Sequence, residues 1–209
     1  MRELSLITLG ALVVGLIMMN FGNGAAQQKA NPVIMMKTSA GDIAIELRPD
    51  KAPETVANFL WYVENKFYDG LIFHRVMSDF MIQGGGFNKD MLKKEGRPAI
   101  KNEADNGLSN MRGTIAMART GDPHSASSQF FINVKDNQGL DFKSKANPAG
   151  WGYCVFGKVI SGMDTVDKIR QVPVATKGMY ENVPVEPVVI LNAHKATADE
   201  IQAIKAKKK

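Results

Sequence analysis

At 209 residues, with 44% hydrophobic and 22% charged residues, the chain can bury one good core and is too short for two domains of ordinary size, which argues against disorder and a multi-span membrane protein. The formal charge of +5 owes much to Lys205, Lys207, Lys208 and Lys209, so it reads as a solvated terminus rather than a nucleic-acid surface. The single cysteine, Cys154, excludes an intrachain disulfide and a cysteine-rich zinc site, and its apolar neighbours mark it as a buried filler.

Residues 4–19 form an apolar run after Arg2, followed by Gly22, Gly24, Ala25 and Ala26, the order of a signal peptide over 1–26 cut after Ala26. The run is shorter than the roughly 20 apolar residues that span a bilayer, which favours cleavage over anchoring. Export would place the mature chain where ATP is scarce, which counts against ATP-driven activities. Residues 27–32 read as a polar linker into a domain over 33–192, and 193–209 as a basic C-terminal tail.

Val33–Thr38 and Ile43–Leu47 flank Ser39-Ala40-Gly41-Asp42, the pattern of a hairpin. Pro53 and Glu54 open a helix in which Val56, Phe59, Leu60 and Val63 recur at helical spacing, ending before Asp69-Gly70. Short apolar segments at Leu71–Val76, Phe80–Gln83, Thr114–Ala118, Phe130–Val134, Val155–Ile160 and Val188–Leu191 read as strands. A second helix covers Met163–Val172, and Ala198–Lys209 reads as a frayed helical tail. Eight strands and two helices without βαβ alternation predict a mainly β fold: a closed eight-stranded antiparallel barrel capped by two α-helices.

The stretch Phe73-His74-Arg75 through Phe80-Met81 and Gln83-Gly84-Gly85-Gly86 sets one unpaired arginine among large apolar side chains, with no acid–base pair around it. Together with Met117-Ala118-Arg119, Ser128-Gln129-Phe130-Phe131-Ile132 and Val155-Phe156-Gly157-Lys158-Val159, in that order and spacing, it resembles the cyclophilin family of peptidyl-prolyl isomerases over about residues 33–192. Arg119 and Pro123-His124-Ser125-Ala126 are most similar to the bacterial branch, and with the leader they imply a periplasmic or otherwise exported enzyme.

The resemblance implies that Arg75 is catalytic, that Phe80, Met81, Phe131 and Leu140 form a proline pocket, and that Gln83, Ala118, Arg119 and Gln129 line a peptide groove. Tyr153 stands where eukaryotic relatives carry a histidine and would close the pocket wall; Gly139 stands where they carry an aromatic. The family's inhibitor cyclosporin leans on that aromatic, so weak inhibition is expected. No metal or organic cofactor is expected, and His74, His124 and His194 lack ligand spacing. The implied partners are proline-containing unfolded or flexible polypeptides. No nucleic acid and no stable membrane insertion after leader removal are expected, and the chain is expected to be a monomer. A non-catalytic proline-peptide module using the same groove, and an adaptor role for the lysine tail, stand as alternatives.

Other features read as structural. An alternating strand turns Phe130 and Phe131 to opposite faces, so Phe130 is assigned to the core. Gly84-Gly85-Gly86 lacks a following Lys-Ser/Thr pair and reads as close backbone approach rather than a phosphate loop. Ser125, Ser127 and Ser128 lack a nucleophile elbow, and Asn102, Glu103 and Asp105 read as solvated turn residues.

Overall fold

Apolar side chains at every second position begin the barrel at β1 (Val33–Thr38), which turns through Ser39-Ala40 into β2 (Gly41–Leu47). The computed structural model describes residues 30–206, so the expected signal peptide, residues 27–29 of the linker and the last three lysines lie outside the described residues. After β2 come α1 (Pro53–Glu64), β3 (Leu71–Met77), β4 (Met81–Asn88), β5 (Thr114–Met117), β6 (Phe130–Asn133), β7 (Val155–Ser161), α2 (Met163–Ile169), β8 (Val174–Lys177), β9 (Tyr180–Pro184), β10 (Ile190–Lys195) and α3 (Ala198–Ala206).

Eight strands form one antiparallel sheet in the order β10-β1-β2-β7-β5-β6-β4-β3. Its ends meet where Gly70 N donates to Ile190 O at 2.8 Å and Phe73 N to Val188 O at 3.0 Å, which nearly closes the barrel as the strand pattern predicted. The interior holds Ile34, Met36, Ile43, Ile45, Leu47, Ile82, Ile115, Phe130, Ile132 and Phe156, joined by Phe59 of α1 and Val166 and Ile169 of α2. Phe59 packs edge-on to Phe130 with ring centroids 5.7 Å apart. Full burial of such a ring contributes about 1.5–3 kcal/mol.

No side chain of α1's own N-cap residue, Ala52, satisfies its first amides. Glu103 does so from a distant loop: its carboxylate accepts from Glu54 N at 3.1 Å, Thr55 N at 2.8 Å and Thr55 Oγ1 at 2.7 Å. A carboxylate there also complements the positive end of the helix dipole. The reading of Glu103 as a solvated turn residue is therefore corrected. Asn102 is likewise buried, and its side chain donates to Gly152 O at 3.2 Å and accepts from Ala104 N at 2.8 Å.

Three further differences from the sequence pattern have physical causes. The hairpin β8–β9, absent from the expected strands, has a first strand exposed at every position, so it carries no alternation to read. The expected last strand, Val188–Leu191, is β10 at Ile190–Lys195, so the domain boundary at 192 falls inside a paired strand. The chain beyond it is not only a basic tail: α3 buries Ile204 against Met35 and Ala44 on the outside of the barrel.

Candidate active site

Strand register assembles the site. Arg75 lies opposite Gln83, Gln83 opposite Phe131, Phe131 opposite Ala116, and Ala116 opposite Val155, one row across β3, β4, β6, β5 and β7. Opposed residues of antiparallel strands share a face, and here it is the outer face of the barrel. Met81, Ala116, Phe131 and Val155 form a cluster separate from the interior core, and Met77, Phe80, Leu140 and Tyr153 pack against it. Phe130 points inward and Phe131 outward, as their adjacency predicted.

Simple alternation would put Arg75 on the same side as Phe73, which is in the core. Between them the register slips: Phe73 opposes Gly84 while Arg75 opposes Gln83, so β3 carries one extra residue. This β-bulge re-aims Arg75 to the outer face. The glycine run of β4 serves the same region. A Cβ at Gly85, whose φ is +84°, would meet Ser128 O at 2.8 Å, and one at Gly86 would meet the Gln129 side chain at 2.6 Å.

Nine of the ten residues singled out from the sequence line one cavity of about 100 Å³: Arg75, Phe80, Met81, Gln83, Ala118, Arg119, Phe131, Leu140 and Tyr153. That is room for a pyrrolidine ring. The tenth, Gln129, lines an adjoining cavity of about 360 Å³ that shares Gln83, Ala118 and Arg119 with the first. Gln83 Nε2 donates to Gln129 Oε1 at 2.9 Å across the divide.

The two arginines differ in what is left free. Arg119 donates through Nε to Gly152 O at 2.9 Å, through one terminal nitrogen to Thr120 O at 2.9 Å and through the other to Pro148 O at 3.2 Å. Its guanidinium also stacks 4.6 Å from the Tyr153 ring centre, so it braces that wall. None of the hydrogen bonds or ion pairs among the described residues engages the Arg75 guanidinium, which stands half-buried at the cavity edge. Its donors are available to a bound molecule.

A polar scaffold beneath the pocket escaped the sequence reading. Asn137 Nδ2 donates to Phe80 O at 2.8 Å and, from the same side chain, to Asn133 Oδ1 at 2.8 Å. Asn133 Nδ2 donates to Thr114 Oγ1 at 2.9 Å, and Asn110 N donates to Asp141 Oδ1 at 2.7 Å. Burial pulls the Asp141 carboxyl up, but hydrogen bonds from Ser109 and Asn110 outweigh it and hold it below the usual carboxylate range. Tyr153 N donates to Leu140 O at 2.9 Å, joining two pocket walls directly. The asparagines at 133, closing the Phe130-Phe131 strand, and at 137, just after it, were the available signal.

Other titratable groups nearby lack a chemical role in this geometry. Burial pushes the Cys154 thiol up to about 12, too high for a nucleophile. Burial likewise lowers His74 to about 4, and its Nδ1 has no partner. Gly139 sits beside Leu140 with open space where a Cβ would be. Ser125 Oγ donates to Asp122 O at 2.7 Å and Ser127 Oγ to Arg97 O at 3.1 Å, with no base positioned against either. Among the described residues, no group of three or more His, Cys, Asp or Glu is placed to hold a metal.

A family model described as cyclophilin type peptidyl-prolyl cis-trans isomerase/CLD matches residues 33–195. The chain is 58% identical over 160 residues to the peptidyl-prolyl cis-trans isomerase cyp18 of Streptomyces antibioticus, covering 77% of this chain and 96% of that one. It is 55% identical over 158 residues to peptidyl-prolyl cis-trans isomerase B of Escherichia coli K12, covering 76% and 96%. Among solved structures it is similar to a cyclophilin type isomerase of Cryptosporidium parvum crystallised in the presence of the dipeptide Ala-Pro. That match has a TM-score of 0.67 at 26% identity and covers 79% of this chain and 99% of that one.

Proposed function

Since the chain belongs to the cyclophilin-type peptidyl-prolyl cis-trans isomerase family and isomerises prolyl peptide bonds, we propose that it does so by holding proline in the Phe80, Met81, Phe131 and Leu140 pocket while Arg75 donates to the twisted prolyl nitrogen. A peptide bond resists rotation because nitrogen shares its lone pair with the carbonyl, a barrier of about 18–20 kcal/mol. In the twisted state that pair becomes a hydrogen-bond acceptor, so a fixed donor stabilises the transition state selectively. Arginine suits this because it stays protonated.

A hydrogen bond to a charged group nets about 1.5–3 kcal/mol, and each tenfold in rate takes about 1.36 kcal/mol. Arg75 would therefore supply roughly 10- to 150-fold. The remainder would come from gripping the ring against the apolar walls while Gln83, Gln129 and groove backbone hold the flanking peptide, so that one side turns against the other.

The observation that carries this reading is the free guanidinium at the mouth of an apolar cavity, beside an Arg119 whose donors are committed to carbonyls. Exchange spectroscopy on a short Ala-Pro peptide tests it: Arg75→Ala lowers turnover at least tenfold with an unchanged circular-dichroism spectrum. A variant with the wild-type exchange rate removes Arg75 from the role.

The biological setting belongs to the same proposal: an exported, periplasmic enzyme that speeds folding of exported polypeptides, whose uncatalysed prolyl isomerisation takes about 10–100 s at 25 °C. Arg2, the apolar run over 4–19 and the small residues ending at Ala26 support export. Mass spectrometry of the protein from cell fractions should find a mature chain starting at Gln27 in the envelope. An intact chain in the cytoplasmic fraction would refute it.

A further inference from the structure

A second surface adjoins the proline cavity. Met77 and Phe80, at the end of β3 and in its following turn, face Pro173 and Val174 across an open groove of about 600 Å³, while Val76 and Val172 at its base turn their side chains toward the barrel core. Val174 is 40% exposed, and Val185, held beside it by a 2.9 Å bond from its N to Pro173 O, is 57% exposed. The charges at the rim are committed: Asp79 pairs with Lys135 at 2.8 Å, and Arg170 pairs with Asp167 at 2.8 Å while donating to Ser78 O at 2.7 Å. Beside the polar Ser78, Gln171 and Asn182, the groove offers the apolar surface of Met77, Phe80, Pro173 and Val174.

The groove is continuous with the site. Phe80 lines both the proline cavity and the groove, and Met77, a groove residue, packs against the cluster that floors the cavity. The Phe80 backbone is fixed on both sides: its N donates to Met77 O at 3.1 Å and its O accepts from Val134 N at 3.2 Å. The Phe80 ring therefore stands on an anchored backbone between cavity and groove, where a chain leaving the cavity would cross it.

We propose that this groove is an exosite for the client itself. Once a proline is seated, apolar side chains of the same unfolded polypeptide, a few residues along from the proline, lie between Phe80 and Val174. Such residues are common in unfolded chains and absent from minimal peptides, so the exosite favours polypeptides over short substrates. The inference rests on the site reading above, since continuity with the proline cavity identifies the occupant.

Three substrates with one Ala-Pro centre test it on the full chain: a tetrapeptide, a twelve-residue peptide with leucines in both flanks, and the same peptide with serines. The wild type should show a KM at least fivefold lower for the leucine peptide than for the serine peptide. Val174→Asp should raise the leucine-peptide KM at least threefold and leave tetrapeptide kinetics at the wild-type value, which also reports that the variant is folded. Equal wild-type KM values for the two long peptides would overturn the proposal. So would a Val174→Asp variant that changes the leucine peptide no more than the tetrapeptide. A wild type that sediments as a dimer beside a monomeric Val174→Asp would assign the groove to a second copy and overturn it too. Failure of the Arg75 reading is distinct, because it shows in tetrapeptide turnover.

Discussion

Replacing His74 by leucine removes a buried imidazole whose Nδ1 has no partner and whose ring packs 4.7 Å from that of Phe87. Burial, assisted by the neighbouring Arg75 charge, lowers His74 from 6.5 to about 4. The folded state thus binds fewer protons than the unfolded state between those values. Stability is fully present above pH 6.5 and drains away as pH falls toward 4. With those two values, linkage puts the loss at about 2 kcal/mol by pH 5 and about 3 kcal/mol once both states are protonated. Urea unfolding of the wild type at pH 7.5 and pH 5 should show most of that 2 kcal/mol, about the slope of a full proton uptake. His74→Leu should flatten the difference by about the same amount. At pH 5 most ordinary carboxylates are still ionised, so their contribution is small. Parallel pH profiles for the two proteins would refute the argument and mean that His74 charges freely in the folded state.

Gly86→Ala should push the flexible end of Gln129 aside and break its bond to Gln83, raising peptide KM severalfold with little change in unfolding free energy; an unchanged KM would dissociate that pair from substrate holding. Glu103→Ala removes the three hydrogen bonds that begin α1 and should cost about 1–3 kcal/mol in urea unfolding, whereas a loss below 0.5 would show that water replaces the carboxylate. Cyclosporin should inhibit weakly, and Gly139→Trp, for which the fold leaves open space, should tighten inhibition at least tenfold; a nanomolar constant for the wild type would overturn the role given to that position.

The barrel was legible because its strands alternate: apolar positions such as Ile34 and Met36, or Ile43 and Ile45, repeat at period two and face one interior. The pocket residues were legible mainly through a resemblance carried by ordered motifs, and the register then places Arg75, Gln83 and Phe131 in one row. What could not be read has a common cause, since it depends on contacts distant in sequence or on departures from periodicity. The bulge between Phe73 and Arg75 breaks alternation where the arginine must turn outward. Glu103 reaches Thr55 across the fold, so nothing near it in sequence marks it as a helix cap. The β8 strand has no buried face, and α3, a helix expected over Ala198–Lys209, has too weak an apolar stripe around Ile204 to show that it docks on the barrel.

The division of neighbouring residues between interior and outer face, Ile82 from Met81 and Phe130 from Phe131, gives the enzyme two separately tunable sets of positions. On the proposed site reading, the interior set mainly carries stability, and the outer set, itself buried at Met81, Ala116, Phe131 and Val155, would bear on what the folded chain accepts. Substitutions at Phe80, Ala118, Leu140 or Gly139 would alter the accepted sequence context of proline while leaving the barrel's thermodynamic reserve nearly untouched. A selection for new substrate preference can therefore draw on many single changes without first acquiring a stabilising one, which makes this outer face a tolerant starting point for divergence.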